Sequence, residues 1–330
     1  MSTLSRAVRI TQAGGPEVLS LGELQVRDPG SQEVLVQIAA AGLNRADLLQ
    51  RKGVYPAPPG VVPDVPGLEF AGKVAKVGSD VRALKEGDEV MGICAGGAMA
   101  THIVMHEREL VRVPRGMSAS DAAAIPEVFM TAYDAMFLQA GLLMGERVLI
   151  HAVASGVGTA ALQLALAAGA LPIGTSRSQA KLERVKELGL QHGIVPDERG
   201  FADQLKALTG GPLADVVLDT VGAKYLGENI KAASNRGRIV TIGLLGGVKA
   251  ELPLGLLVNK RVSLRGSVLR SRPLEEKAAL AQAFTTSVLP LFERGLLKPV
   301  VAEVMPMTEI REAHRRLESD DVIGKLVLTW

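Results

Sequence analysis

A single cysteine, Cys94, stands in 330 residues, which excludes an intramolecular disulfide and any cysteine-rich zinc site. It reads as a small buried hydrophobe. An excess of one charge sign is also lacking: 37 Lys and Arg against 35 Asp and Glu leave a net charge of +2, too little for the broad basic surface that nucleic acid or an anionic membrane attracts. Apolar runs are broken by Gly or charge before they reach membrane-spanning length, and the N-terminal MSTLSRAVRI has no apolar signal core. The expectation is a soluble cytoplasmic protein with neither nucleic acid nor membrane as partner. With no pair of thiols, any redox chemistry comes from a cofactor. The chain exceeds one typical core, so two domains are expected, and its 47% hydrophobic and 22% charged residues are those of an ordinary globular protein.

One stretch organises the rest. Arg147–Ala152 is a short, β-branched apolar run of the kind that forms a buried parallel strand. Gly156 and Gly158 break it, and from Thr159 the residues Ala160, Ala161, Leu164, Ala165 and Ala168 recur at helical spacing. Strand, tight turn and helix together present unpaired N–H groups and the positive end of a helix dipole, a site for phosphate. The glycine fingerprint G-x-G-x-x-G is itself missing, since Ser155 and Val153 stand where two of its glycines would be. A β–α unit whose glycines only permit close packing is the competing reading. About twenty residues on, the carboxylate that binds an NAD ribose is missing too. Thr175-Ser176-Arg177-Ser178, with Lys181 close behind, stands there instead. Hydroxyls and two cations suit the 2′-phosphate of NADPH; a solvated loop is the alternative.

From Arg6 to about Val113 the chain reads as short strands: Ala7–Ile10, Glu33–Ala40, Gly72–Val77, Glu89–Gly92, Thr101–Met105 and Leu110–Val113, punctuated by Gly, Pro and Asp turns. This predicts a β-barrel-like domain, with one helix at Asn44–Arg51 and a Pro-rich loop, Tyr55–Gly60, after it. Ser118–Phe137 is Ala-rich and helical on either side of Pro126. Beyond Arg147, strands at Leu171–Gly174, Gly193–Val195, Asp215–Asp219 and Arg238–Gly243 alternate with helices near Gln179–Leu188, Ala202–Leu208 and Lys224–Ala233, the pattern of a doubly wound parallel sheet. One long helix over Leu274–Arg294 and a strand, helix, strand tail over Val300–Val304, Thr308–Leu317 and Lys325–Leu328 complete the reading.

The order of barrel, nucleotide fold and returning tail, with AGLNRADLLQRKGVYPAPPG (Ala41–Gly60), PGLEFAGKVAKVG (Pro66–Gly78), GDEVMG (Gly87–Gly92) and HAVASGVGTAALQLA (His151–Ala165), resembles the medium-chain dehydrogenase/reductase superfamily. AAAIPEVFMTAY (Ala122–Tyr133), GSVLRSR (Gly266–Arg272) and MTEIREAHRRLESDDVIGKLVL (Met307–Leu328) are most similar to its NADPH-dependent quinone oxidoreductases of the p53-inducible type. The resemblance implies an α/β protein with a GroES-like β-barrel domain, residues 1–125 with 298–330, and a Rossmann doubly wound parallel sheet, residues 126–297. It also implies a homodimer through the sheet edge near Val262–Gly266. Zinc-dependent relatives carry a cysteine in the segment matching Ala41–Asp47, a histidine in G-H-E and a four-cysteine lobe; here the segments read Ala41-Gly42-Leu43-Asn44 and Gly67-Leu68-Glu69, with no lobe after Gly92. Zinc needs about four N or S ligands. His102, His106, His151, His192 and His314 are scattered, so no metal is expected.

By resemblance, the cofactor pyrophosphate rests on Ser155, Gly156, Val157 and Gly158, and the 2′-phosphate on Ser176, Ser178 and Lys181. The nicotinamide lies against Thr131, bordered by Gly243, Leu244 and Leu245 and by Ser267, Val268 and Leu269. Asn44 and Tyr55 line the cleft for a small quinone or enone, donating to its oxygen, with Tyr55 also beside the cofactor. Structural readings compete: Asn44 is placed to cap a helix, Asp47 to brace its first turn, Thr131 to pack inside a helix. Tyr55, one of three tyrosines, lies in a loop with no evident core to fill. Where related enzymes place a tyrosine on the adenine side, this chain reads Ile194-Val195-Pro196-Asp197, leaving Phe201 as a substitute or the adenine uncovered. The expected reaction is zinc-free quinone reduction; an enoyl or 2-alkenal reductase, or a protein that binds NADPH with little turnover, are the alternatives.

Overall fold

The computed structural model describes residues 2–198, 200–211 and 213–330. They form two compact units, Met1–Met130 with Leu269–Trp330 and Thr131–Val268. Among the described residues no helix is long and apolar enough to cross a membrane.

The first unit begins with β1 (Ser2–Ile10) and β2 (Leu19–Arg27), an antiparallel pair. Next come β3 (Glu33–Leu43), α1 (Arg45–Arg51), β4 (Glu69–Val77), β5 (Glu89–Ile93), β6 (His102–His106), β7 (Leu110–Arg112), α2 (Ala119–Ala122) and α3 (Pro126–Tyr133), the last of which carries the division between units. Pro126 opens α3 because its missing N–H is one that a helix start leaves unpaired anyway. In the second unit β8 (Arg147–Ile150), α4 (Gly156–Ala167), β9 (Leu171–Thr175), α5 (Gln179–Lys186), β10 (His192–Ile194), α6 (Phe201–Thr209), β11 (Ala214–Asp219), α7 (Leu226–Ala232), β12 (Ala233–Thr241), α8 (Leu254–Lys260) and β13 (Ser263–Gly266) follow. The chain then returns to the first unit with α9 (Leu274–Ser287), α10 (Leu289–Glu293), β14 (Val301–Pro306), α11 (Ile310–Glu318) and β15 (Lys325–Thr329).

In the first unit seven strands run in the order β14-β15-β3-β4-β5-β7, with β6 also on β3. The tail is therefore woven into the sheet the N-terminal strands began: β15 pairs antiparallel with β3, Val327 opposite Gly42. Val36, Phe70, Val90, Leu326 and Leu328 form its core. The second unit has the order β10-β9-β8-β11-β12-β13, all parallel, with Leu149 opposite Ile173 on one side and Val217 on the other. The order reverses direction at β8, so the crevice beyond the carboxyl ends of β8 and β11 is where such a sheet takes a ligand. A GroES-like unit and a Rossmann-like parallel sheet are both present.

Three details depart from expectation. β2 is a strand where the sequence pattern predicts none. The long helix is two: Pro290 cannot donate an N–H to the preceding turn, and the chain breaks at Val288 between α9 and α10. The expected division after residue 297 falls instead at Leu269, because α9 and α10 pack on the first unit. Phe292 meets Phe129 at 4.8 Å between centroids, and Lys277 pairs with Glu109 at 3.7 Å.

Candidate functional site

In the second unit the turn after β8 is held by its own backbone. Ser155 caps α4, its Oγ accepting from Gly158 N at 3.1 Å and its carbonyl from Thr159 N at 2.8 Å, which leaves the N–H groups of Gly156 and Val157 without a helical partner. Gly158 has no substitute: a Cβ there would lie 2.4 Å from Ala152 O. This donor pair at the start of a twelve-residue helix suits a pyrophosphate. Next to it, beyond β9, Ser176 is buried and its Oγ accepts from Ser178 N at 3.2 Å, while Ser178 caps α5 with its Oγ 3.4 Å from Lys181 N. Arg177 is exposed and Lys181 half-buried, so cations and hydroxyls share the carboxyl edge of β9 where a ribose phosphate is expected.

Gly243–Leu245 follows β12 and Ser267–Val268 follows β13, at the same end of the sheet. Leu245 N donates to Thr220 O at 3.4 Å, Ser267 N to Thr241 O at 3.0 Å and Ser267 Oγ to Asp134 Oδ2 at 2.9 Å. Thr131, half-buried on α3, belongs to this unit, whereas Leu269 falls in the first. Beside the turn after β8 lies a buried polar and aromatic group. His151 is fully buried, with one ring nitrogen 2.9 Å from Thr175 Oγ1 and the other 2.6 Å from Asn229 Oδ1. Phe201 and Tyr225 each meet its ring at 4.8 Å. Burial holds the imidazole below its usual range. Phe201 is 1% exposed, so it is a core residue and cannot cover an adenine. Tyr225 is the half-exposed member of the trio.

In the first unit α1 and its flanks assemble a buried polar cluster. Asn44 N donates to Asp47 Oδ2 at 2.8 Å, and Gly67 N to Asp47 Oδ1 at 2.8 Å. Asp47 thus braces both the helix start and the chain entering β4, and burial pushes it up to about 6. The Asn44 amide is committed as well: Nδ2 donates to Glu69 Oε1 at 2.8 Å and Gly42 O at 3.3 Å, and Oδ1 accepts from Lys325 Nζ at 2.7 Å. Lys325 Nζ also donates to Leu43 O at 2.8 Å and pairs with Glu69 Oε1 at 2.6 Å. Glu69 Oε2 accepts from Glu127 N at 2.8 Å. Gly42 permits this, because a Cβ there would lie 2.3 Å from Glu69 Oε1. Burial and the Glu69 charge push the Glu127 carboxyl up to about 8, so it is protonated at neutral pH. The cluster was out of reach of the sequence reading, since its members come from α1, β4, α3 and β15.

Tyr55 follows α1 and is half-buried, its N–H donating to Leu49 O at 3.2 Å. Its ring lies over the Arg270 guanidinium at 4.9 Å. Burial raises the phenol above its usual range, opposed by the Arg270 charge, so it is a proton donor and not a phenolate near neutrality. Cys94 is buried, as expected, its Sγ donating to Gly67 O at 3.4 Å, and burial pushes its thiol up to about 12. His314 is buried against Arg51 Nη1 at 3.2 Å and is pushed down to about 3 by burial and that cation. Among the described residues no three His, Cys, Asp or Glu side chains are grouped to hold a metal ion.

Comparison with known proteins finds two family models along the chain. The model of the zinc-binding dehydrogenase family matches residues 156–285 and that of the alcohol dehydrogenase GroES-like domain residues 30–115. The chain is 30% identical to the quinone oxidoreductase of Homo sapiens over 328 residues, 98% of each chain. Among solved structures, an NAD-dependent alcohol dehydrogenase matches with TM-score 0.85 and 34% identity over 98% of this chain and 99% of that one. The CurK enoyl reductase matches with TM-score 0.88 and 29% identity over 98% and 99%. Oxidoreductases of this family bind a nicotinamide cofactor and act on small molecules. The chain belongs to the medium-chain dehydrogenase/reductase superfamily of oxidoreductases, as a quinone oxidoreductase-like member.

Proposed function

We propose that the chain reduces quinones by hydride transfer from NADPH without zinc. The observation that carries this reading is the set of oxygens around Lys325 Nζ: Glu69 Oε1 at 2.6 Å, Asn44 Oδ1 at 2.7 Å and Leu43 O at 2.8 Å. The cation of this cluster belongs to the chain itself, and the oxygens that face it are already satisfied.

NADPH, when bound, supplies the hydride. The N–H groups of Gly156 and Val157 with Ser155 hold the pyrophosphate, and Ser176, Arg177, Ser178 and Lys181 select the 2′-phosphate, a preference supported by the missing carboxylate after β9. Thr131, Gly243–Leu245 and Ser267–Leu269 orient the nicotinamide. Tyr55 donates a hydrogen bond to the acceptor's oxygen as negative charge develops there, which needs no Lewis acid when the acceptor is an easily reduced quinone. The Asn44 amide, engaged with Glu69 and Lys325, fixes the start of α1 beside this donor and contributes through position. A homodimer through β13 belongs to the same reading, supported by the place of β13 at the edge of the sheet and the exposure of all four of its residues.

The likeness to an enoyl reductase favours one second reading, reduction of an alkene conjugated to a carbonyl. NADPH oxidation measured over ortho-quinones, para-quinones and 2-alkenals separates the two. Turnover on quinones well above that on alkenals supports the proposal; alkenals alone support the second reading, and no oxidation with tight NADPH binding contradicts both.

A further inference from the structure

Arg270 is 4% exposed, and among the described residues no carboxylate forms an ion pair with it. Burying a guanidinium without a paired anion is costly, and an apolar side chain of similar size would fill the space at less expense. The charge is instead spread over neutral acceptors: Nε donates to Ala95 O at 2.7 Å, Nη1 to Tyr55 O at 3.1 Å and Nη2 to Gln50 Oε1 at 2.6 Å. These acceptors lie after β5, in the Pro-rich loop and on α1. The face of the guanidinium is covered by the Tyr55 ring at 4.9 Å. One planar group therefore touches Tyr55 twice, at its carbonyl and at its ring.

The loop itself gives Tyr55 little other support. Pro56, Pro58 and Pro59 have no N–H to donate, and no helix or strand is formed between Arg51 and Glu69. Its far end is held to the same helix by Gln50 Nε2 donating to Pro63 O at 3.0 Å, so Arg270 reaches one end of the loop directly at Tyr55 O and the other through Gln50. Asp47 and Glu127 are the acids that sense the Arg270 charge from α1 and α3. Both sit high in their titration, and neither neutralises it by contact.

We propose that Arg270 is a positioning residue for the reductase reaction, clamping the Tyr55 loop and holding the phenol ring by a cation–π contact so that its hydroxyl is presented to the acceptor. The inference rests on Tyr55 acting as the donor. A planar fork is needed for this, because lysine offers a point charge and cannot bond three carbonyl-type oxygens in one plane while lying flat under a ring.

The test uses Arg270→Met, Arg270→Lys, Tyr55→Phe and the Arg270→Met/Tyr55→Phe double variant, each with NADPH and one quinone, together with NMR spectra of protein carrying 13C-labelled tyrosine. With three tyrosines, Tyr55 is assigned by its loss in Tyr55→Phe. In Arg270→Met its ring resonance should move and broaden, turnover should fall about tenfold with the Michaelis constant for NADPH unchanged, and Arg270→Lys should recover part of the loss. The double variant should lose no more than Tyr55→Phe alone. An unmoved Tyr55 resonance in Arg270→Met would overturn the clamp itself. Losses that multiply in the double variant, or a fall in activity matched by the fall in folded fraction, would overturn its link to turnover. A moved resonance with Tyr55→Phe fully active would instead remove the donor role of Tyr55, and the catalytic part of the inference with it.

Discussion

Lys325 Nζ and Glu69 Oε1 lie 2.6 Å apart with side chains 4% and 0% exposed. An ion pair taken so completely out of water is stable only while both members and their hydrogen bonds remain. Lys325→Met should therefore lower unfolding free energy by about 3 kcal/mol, the lower end for breaking a buried pair, because Asn44 Nδ2 and Glu127 N still donate to Glu69. Lys325→Met/Glu69→Gln should recover much of this. Urea unfolding of both checks it, and a double variant that is the less stable of the two would contradict the pairing.

Glu127 sets a pH dependence of stability. Its carboxyl is raised from 4.5 to about 8 by burial and by Glu69, so between those values the folded protein holds a proton the unfolded chain has lost. Its contribution is fully present below about pH 4.5, declines as pH rises, and levels off above about 8. Asp47, raised to about 6, adds a decline of the same sign at the acid end. Relative to Glu127→Gln, wild-type stability should fall across this window. Parallel curves for the two proteins would mean that the carboxyl is ionised in both states.

On the proposed reading, cofactor choice depends on Arg177 and Lys181 at the carboxyl edge of β9. NADPH should bind at least about tenfold more tightly than NADH, a difference of about 1.4 kcal/mol, and Lys181→Ala should remove much of it. Dissociation constants measured by fluorescence titration decide this, and equal values for the wild-type protein would reverse the assignment.

Tyr55→Phe keeps the ring over Arg270 and removes only the hydroxyl. If the phenol donates mainly in the transition state, turnover should fall about tenfold with little change in Michaelis constant, less than the loss of a donor from a fully dry oxyanion hole. The loss should be larger for a 2-alkenal, the poorer hydride acceptor. A raised Michaelis constant with turnover unchanged on both substrates would reduce Tyr55 to a wall of the pocket.

The β8–turn–α4 geometry was legible because its pattern is local: Ser155, Gly158 and the apolar run of β8 lie within a dozen residues, and the Gly158 requirement follows from backbone contact alone. Strand alternation over β3 to β7 was legible for the same reason. The cluster of Asn44, Asp47, Glu69, Glu127 and Lys325 was not, since β15 reaches β3 only through the sheet and no periodicity marks a lysine destined for burial. The capping role weighed for Asn44 and Asp47 was visible in their spacing, but the Lys325 partner was not. Arg270 stands within the segment Gly266–Arg272, yet only the fold shows its guanidinium beneath Tyr55. Phe201 shows the opposite limit: an aromatic that the sequence left available is consumed by packing against His151 and Tyr225.

The central claim, quinone reduction from NADPH by a chain whose own Lys325 supplies the cation of the cluster, is tested most directly by one rate. Protein dialysed against a strong chelator, with its metal content measured by elemental analysis, is assayed for NADPH oxidation with a quinone. Undiminished turnover with no stoichiometric zinc is the predicted result; activity lost to the chelator and restored by zinc would contradict it.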